Sequence, residues 1–177
     1  MKHRSAIIFV AVVLIAAFSR LLPHPPNFSP VIAIALFSGA VLMDRRLAFI
    51  TPLLAMLLAD LVLGFHGTMV FVYTAMALVV LLGRGLDKRR GVLTLVGAGF
   101  GGALLFFVIT NAGVWWLQGM YSHDMAGLIA CYVAALPFFH HTLMATLLYG
   151  AMLFGLEYYV TRRIHREEQG AVEAARG

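Results

Sequence analysis

Long apolar runs dominate this chain and decide the solvent in which it can fold. Of its 177 residues, 62% are hydrophobic and 12% are charged, whereas soluble domains are about 45–50% apolar and about 25% charged. A transmembrane helix needs about 20 predominantly apolar residues. The composition therefore predicts an integral membrane protein with the lipid bilayer as its main partner, and it leaves no room for a sizeable domain outside the membrane.

The apolar runs predict an all-α bundle of six transmembrane helices. The predicted spans cover residues 5–22, 31–43, 47–65, 68–86, 91–117 and 138–160. Pro137 separates the last span from the apolar residues before it, because proline removes a backbone donor and clashes with the preceding turn. We expect residues 125–136 to form a short helix at the outer surface or a re-entrant one. The bundle is a single domain over residues 1–165, and residues 166–177 form a flexible cytoplasmic tail.

Lys and Arg are distributed unequally over the connections between these spans. All 13 fall on one side of the membrane except Arg20. Cytoplasmic loops collect Lys and Arg, so this distribution predicts a multi-pass protein of the bacterial inner membrane with both termini inside. The net charge of +5 is mostly this signature, and no basic stretch interleaved with aromatics indicates nucleic-acid binding. A cleaved signal peptide over residues 1–19 is the alternative, which Arg20 and the apolar residues after it disfavour.

Three polar side chains from three predicted spans share one layer near the outer side: Asp60, Tyr73 and Asn111. An ionisable group at the centre of a span costs about 2.5–3.5 kcal/mol on insertion scales, so it usually faces a protein interior or a cavity. These residues could form a hydrogen-bonded knot between helices or the floor of a ligand pocket. We favour the pocket because of the residues predicted above it.

The outer connections carry histidines and a stiff, proline-rich segment. The predicted lid and walls of the pocket are His24, Asn27, His66, Trp115, His123 and His141. Trp115 is also compatible with the aromatic belt of a membrane interface. Histidine is a common metal ligand, but no metal-binding spacing or nucleophile with its base is present. We therefore predict no metal site, no resident cofactor and no enzymatic activity. We interpret Asp124 as a helix N-cap.

Several motifs resemble a known family. They are Pro-x-Pro-Pro-Asn-Phe-Ser-Pro at residues 23–30, Leu-Phe-Ser-Gly-Ala at 36–40, Phe-Phe-Val-Ile-Thr-Asn-Ala-Gly-Val-Trp at 106–115, and Cys-Tyr-Val-Ala-Ala-Leu-Pro-Phe-Phe at 131–139. They resemble an uncharacterised bacterial family of membrane transport proteins and, more distantly, the S components of energy-coupling-factor transporters. That resemblance implies capture of a vitamin or vitamin-like small molecule from the outer face. A corrinoid or another metal-containing substrate is one option, and an energising transmembrane and ATPase module is an implied partner.

Two other classes of function stay open. Small residues recur four apart in the fifth span, as in Gly97 with Gly101 and Ala98 with Gly102. Such spacings let helix backbones approach closely in lipid, either within the bundle or against a partner subunit, as in a structural or assembly protein. A small metal-dependent membrane enzyme is the third class. We interpret Glu157 as the partner of Arg162 or Arg163 in a surface ion pair.

Overall fold

The computed structural model describes residues 13, 17–21, 25–86 and 90–174, and this part of the chain is helical with no strand. Five helices follow one another: α1 (Val31–Val41), α2 (Arg45–Leu63), α3 (Met69–Arg84), α4 (Val92–Leu117) and α5 (Met125–Ala174). Residues 17–21 are helical as well. The prediction of an all-α protein is confirmed.

Three of the described helices are long and apolar enough to cross a membrane, judged by length and composition. They are α2, α4 and the Met125–Ile164 part of α5. Helices α1 and α3 are also apolar but shorter, with 11 and 16 residues. These helices indicate a membrane protein. The first predicted span, residues 5–22, lies mostly outside the described residues.

The predicted break at Pro137, with a separate short helix over residues 125–136, is wrong. Pro137 lies inside α5, which continues from Met125 to Ala174. Its apolar part has 40 residues, so it is about 60 Å long at about 1.5 Å per residue. An internal proline removes one helical hydrogen bond, whereas a break would leave up to four C=O groups and four N–H groups at the new helix ends without helical partners. Continuing the helix therefore costs less than breaking it, and the backbone of residues 166–174 is part of the same helix.

Aspartate side chains cap the N-termini of α2 and α5. The Asp44 side chain accepts hydrogen bonds from the backbone N–H groups of Arg46 and Leu47, at 2.8 and 3.4 Å, at the start of α2. The Asp124 carboxylate accepts one from the Gly127 N–H at 2.7 Å at the start of α5. The prediction that Asp124 is a helix N-cap is confirmed.

Helix α1 lies at the centre of the bundle and contacts each of the other four helices. It packs so closely on α3 that a Cβ at Gly83 would overlap the Leu36 carbonyl oxygen, and one at Gly39 would overlap that of Val80. Only glycine permits such an approach of two backbones.

The small residues of α4 extend this close packing. Ala98 and Ala103 are buried, and a Cβ at Gly102 would lie in contact with side chains of α1 and α3. This face of α4 is thus used within the bundle. Gly97 is the exception, since a Cβ there would meet no atom within 4 Å.

Candidate functional site

A buried ion pair joins the helical residues 17–21 to α2 and α3. The Arg20 Nη1 lies 3.1 Å from one oxygen of Asp60, and the Tyr73 hydroxyl donates to the other oxygen at 2.9 Å. Asp60 is 1% exposed and Arg20 is 20% exposed. A buried carboxylate is tolerated when it is paired and hydrogen-bonded. Two of the three predicted floor residues, Asp60 and Tyr73, are therefore in direct contact, and the Arg20 guanidinium, which was not among the predicted site residues, joins them.

A cavity of about 210 Å³ adjoins this ion pair. Its polar lining includes Arg20, Asn27, Ser29, His66 and Thr142, and Met56, Val72 and Phe106 are among its apolar walls. The Ser29 hydroxyl oxygen is buried and makes no hydrogen bond within the described part of the chain. The cavity therefore combines the Arg20 cation and a hydroxyl with spare bonding capacity with the polar side chains of Asn27, His66 and Thr142.

The proline-rich connection before α1 forms the rim of this cavity. The Phe28 N–H donates to the Pro25 carbonyl at 3.0 Å, which closes a tight turn. Asn27 adopts a left-handed conformation with φ of 62° in that turn, which asparagine tolerates better than most residues. His141 Nδ1 lies 3.1 Å from the Pro26 carbonyl oxygen and so ties the turn to α5. His141 therefore holds the rim in place.

His66 is the second rim residue supplied by a predicted outer connection. It lines the cavity, and its Nδ1 lies 2.9 Å from the Thr68 hydroxyl oxygen at the start of α3. This contact fixes the ring at the mouth of the cavity. Thr142 faces it from α5, where it is buried and donates to the Phe138 carbonyl at 2.9 Å.

Other predicted site residues lie elsewhere. The Asn111 side-chain N–H donates to the Phe107 carbonyl of its own helix at 2.8 Å, and Asn111 does not line the cavity. Trp115 Nε1 donates to the Ser122 carbonyl at 2.9 Å, and His123 Nε2 lies 3.1 Å from the Trp115 carbonyl oxygen. Trp115, in the last turn of α4, and His123, in the connection to α5, thus form a separate cluster. His24 lies outside the described residues.

The connection between α4 and α5 also contains Asp124, whose carboxyl has a lowered pKa. The Gly127 N–H and the Ser122 hydroxyl both donate to Asp124 and keep the pKa of its carboxyl below the ordinary value. Hydrogen bonds to the charged form favour that form. This effect belongs to the start of α5 and does not involve the cavity.

The sequence did contain a signal for the missed residue Arg20. It is the only Lys or Arg on the predicted outer side, and Asp60 is an ionisable residue within a span. Intramembrane ionisable residues usually pair with one another. Thr142 carried no comparable signal, since an isolated hydroxyl in an apolar run can bond to its own helix, as it does here to the Phe138 carbonyl.

A second, larger cavity of about 650 Å³ lies at the cation-rich end, between α4 and α5. At its mouth Arg90 Nη2 lies 3.2 Å from Glu157 Oε2, and the Arg90 side chain is 6% exposed. The Arg90 guanidinium also lies over the Phe154 ring, 4.9 Å from its centroid. The interpretation of Glu157 as a partner of Arg162 or Arg163 is therefore wrong, because the fold brings Arg90 closer. No feature of the sequence indicated this cavity.

No three His, Cys, Asp or Glu side chains come together to hold a metal ion among the residues that the structure describes. In particular, His66 and His123 belong to different connections with different partners.

Comparison with known proteins gives a family and no further relatives. A model of a family of unknown function, DUF6580, matches residues 1–169. No curated protein and no solved structure matches the chain, so the resemblance to transport proteins and to S components stays a prediction. The family match covers almost all of the sequence, and the chain therefore belongs to DUF6580.

Proposed function

We propose that this chain is a six-crossing protein of the bacterial inner membrane that captures a small polar molecule from the outer face. The distribution of Lys and Arg supports cytoplasmic termini. Helices α1 and α3 are shorter than the about 20 residues that usually cross a bilayer, but most residues of α1 are buried. A short helix shielded by its neighbours can complete a crossing without facing lipid at both ends.

The observation that carries the proposal is the polar cavity beside Arg20. A purely structural ion pair needs no space around it, whereas this one borders a cavity of about 210 Å³. Arginine has five N–H donors, more than its contacts with Asp60 and the Met56 sulfur use. The buried Ser29 hydroxyl would gain a partner from a bound molecule, since buried polar groups normally make a hydrogen bond.

The cavity limits the size and chemistry of that molecule. Pockets for drug-sized ligands measure about 300–1,000 Å³, so a volume of about 210 Å³ suits a smaller one. A corrinoid is far too large for it, and we do not retain that option. Since Asp60 compensates the charge of Arg20, the cavity fits a compact molecule that is neutral or singly negative and offers hydrogen-bond acceptors. A small vitamin or a precursor of one meets this description.

Capture without chemistry is the role we infer, because the cavity residues supply hydrogen bonds and no nucleophile activated by a base. Uptake across the membrane would then require an energising transmembrane and ATPase module as a partner. The motifs shared with S components support this role only as a resemblance.

Binding to the purified protein tests the proposal. Isothermal titration calorimetry uses two groups of compounds. Nicotinate, biotin and pantothenate carry a carboxylate, and riboflavin and thiamine lack one. His66→Ala provides the decisive variant, and His123→Ala is its matched control because both histidines lie in outer connections. We expect His66→Ala to weaken binding at least fivefold and His123→Ala to leave it unchanged.

Two results would contradict the proposal. One is the absence of binding to any compound of the panel together with no small molecule detected by mass spectrometry of the purified protein. The other is equal weakening by the two histidine variants, which would mean that the cavity is not the binding site.

A structural or assembly subunit is the second candidate, and the ion pair itself favours it. Arg20, Asp60 and Tyr73 link three segments that are distant in sequence, which is what a scaffold needs. Stable co-purification with a larger complex, combined with an empty panel, would support this role.

A further inference from the structure

We propose that the large cavity at the cation-rich end holds one acyl chain of an anionic phospholipid from the adjacent leaflet. The residues that line this cavity are all different from those that line the Arg20 cavity, so the proposal does not depend on the function proposed for the Arg20 cavity. The argument rests on the length, the walls and the charge of the cavity.

The length of the cavity matches one leaflet. On α5 its lining runs from Thr146 to Tyr158, and on α4 it begins at Gly91 and ends at Gly99. At about 1.5 Å per residue the α5 wall is about 18 Å long, close to half of a hydrocarbon core about 30 Å thick. The cavity thus extends from the membrane surface to the level where an acyl chain of the same leaflet ends.

Missing side chains create the space. Gly150 and Gly155 both line the cavity, and a Cβ at either would meet no atom within 4 Å. Leu95, Val96 and Leu147 supply apolar walls. An apolar space of about 650 Å³ beside lipid-facing helices is suited to a flexible hydrocarbon chain. If the space stayed empty, the side chains that line it would lack dispersion contacts on that side.

The charge at the mouth selects the headgroup. Arg90 and Glu157 compensate each other, whereas Arg162 is exposed and its guanidinium lies 4.6 Å from the centroid of the Tyr158 ring, at the cavity edge. Helix α4 begins beside this point after Gly91, which provides no side-chain cap. A helix N-terminus and an arginine together favour an anion, and basic pockets between helices bind anionic headgroups.

The decisive experiment compares two lipids that differ only in the headgroup. The full-length protein is placed in nanodiscs containing equal amounts of phosphatidylglycerol and phosphatidylcholine with the same acyl chains. Native mass spectrometry then counts the lipids that stay bound after release. We expect the wild type to retain one phosphatidylglycerol, with a preference of about fivefold over phosphatidylcholine, the contribution typical of one Arg near a membrane surface.

Variants separate the chain site from the headgroup site. The double variant Gly150→Leu with Gly155→Leu fills the cavity and should reduce retention of both lipids at least tenfold. Gly97→Leu is the matched control, because it also adds a side chain to open space on a helix but lies outside the cavity lining. Arg162→Gln should keep one lipid bound and lower the headgroup preference several-fold.

Three outcomes would overturn the proposal. They are equal retention of the two lipids by the wild type, undiminished retention by a folded cavity-filling variant, and co-purification of a protein or an apolar small molecule that excludes lipid from the cavity. Should the cavity-filling variant fail to fold, Arg162→Gln decides, since its exposed side chain can be replaced without disturbing the bundle. An unchanged headgroup preference in Arg162→Gln would then refute the site.

Discussion

Removal of Arg20 should destabilise the bundle more than removal of any exposed charge. Arg20→Met deletes the guanidinium that lies 3.1 Å from Asp60 and leaves a carboxylate that is 1% exposed beside the Tyr73 hydroxyl. Breaking a buried ion pair by removing one partner costs about 3–5 kcal/mol. Since Arg20 is 20% exposed, we expect a loss in the free energy of unfolding of about 3 kcal/mol, at the lower end of that range.

A double-mutant cycle shows whether this cost comes from the pair. Asp60→Leu alone should also cost about 3 kcal/mol, because it leaves the cation without its partner. The double variant should cost only about 1–3 kcal/mol, mainly from the Tyr73 hydroxyl that loses its acceptor. The two single losses together should therefore exceed the loss in the double variant by at least about 3 kcal/mol.

The assay is a sodium dodecyl sulfate titration of the protein in mixed micelles, followed by circular dichroism. The exposed pair of Arg163 with Glu167, 3.3 Å apart on α5, provides the control cycle, for which coupling of about 0.3–0.5 kcal/mol is typical. Additive losses at Arg20 and Asp60, or coupling no larger than in the control, would refute the reasoning that a buried charge pair stabilises this end of the bundle.

Three further predictions concern the packing and the turns. Gly83→Ala should lower the free energy of unfolding by at least about 1–3 kcal/mol, because the new Cβ would overlap the Leu36 carbonyl. Gly97→Ala is the control: its Cβ would lie in open space, so the same titration should show a neutral or slightly stabilising effect. Asn27→Ala should cost about 1 kcal/mol, because asparagine tolerates the left-handed conformation at this position better than alanine does, and Asn27→Gly should restore that stability without restoring ligand binding. The stability difference between wild type and Asp124→Ala should be full at neutral pH and decrease as the pH falls through the lowered pKa of the Asp124 carboxyl, since the unfolded chain binds that proton first; a difference that does not decrease on acidification would contradict this assignment.

The sequence by itself determined the class of fold and part of the candidate site. Apolar runs separated by short polar connections require helices wherever water cannot satisfy the backbone, and α2 and α4 follow the predicted spans closely. The pairing of Asp60 with Tyr73 was also accessible, because two polar side chains at the same depth of an apolar bundle have few other partners. The cap at Asp124 is a local feature, so a short stretch of sequence was sufficient to predict it.

Pro137 shows where local propensity is a poor guide. Proline usually ends a helix in water, where the freed backbone groups find solvent. A break leaves more backbone groups without helical partners than the single donor that the proline removes. Helix α5 therefore continues through it, and only the surroundings of the whole helix decide the outcome.

Tertiary structure alone decided which distant groups meet. Arg20 reaches Asp60 and Arg90 reaches Glu157 across sequence separations of 40 and 67 residues, and both cavities arise where helices fail to fill the space between them. Side-chain depth can be read from the distance to a span's end, but the rotation of each helix about its axis cannot. That rotation is set by close contacts between helices, such as Gly83 against Leu36, and it decides that Thr142 lines the cavity while Asn111 does not.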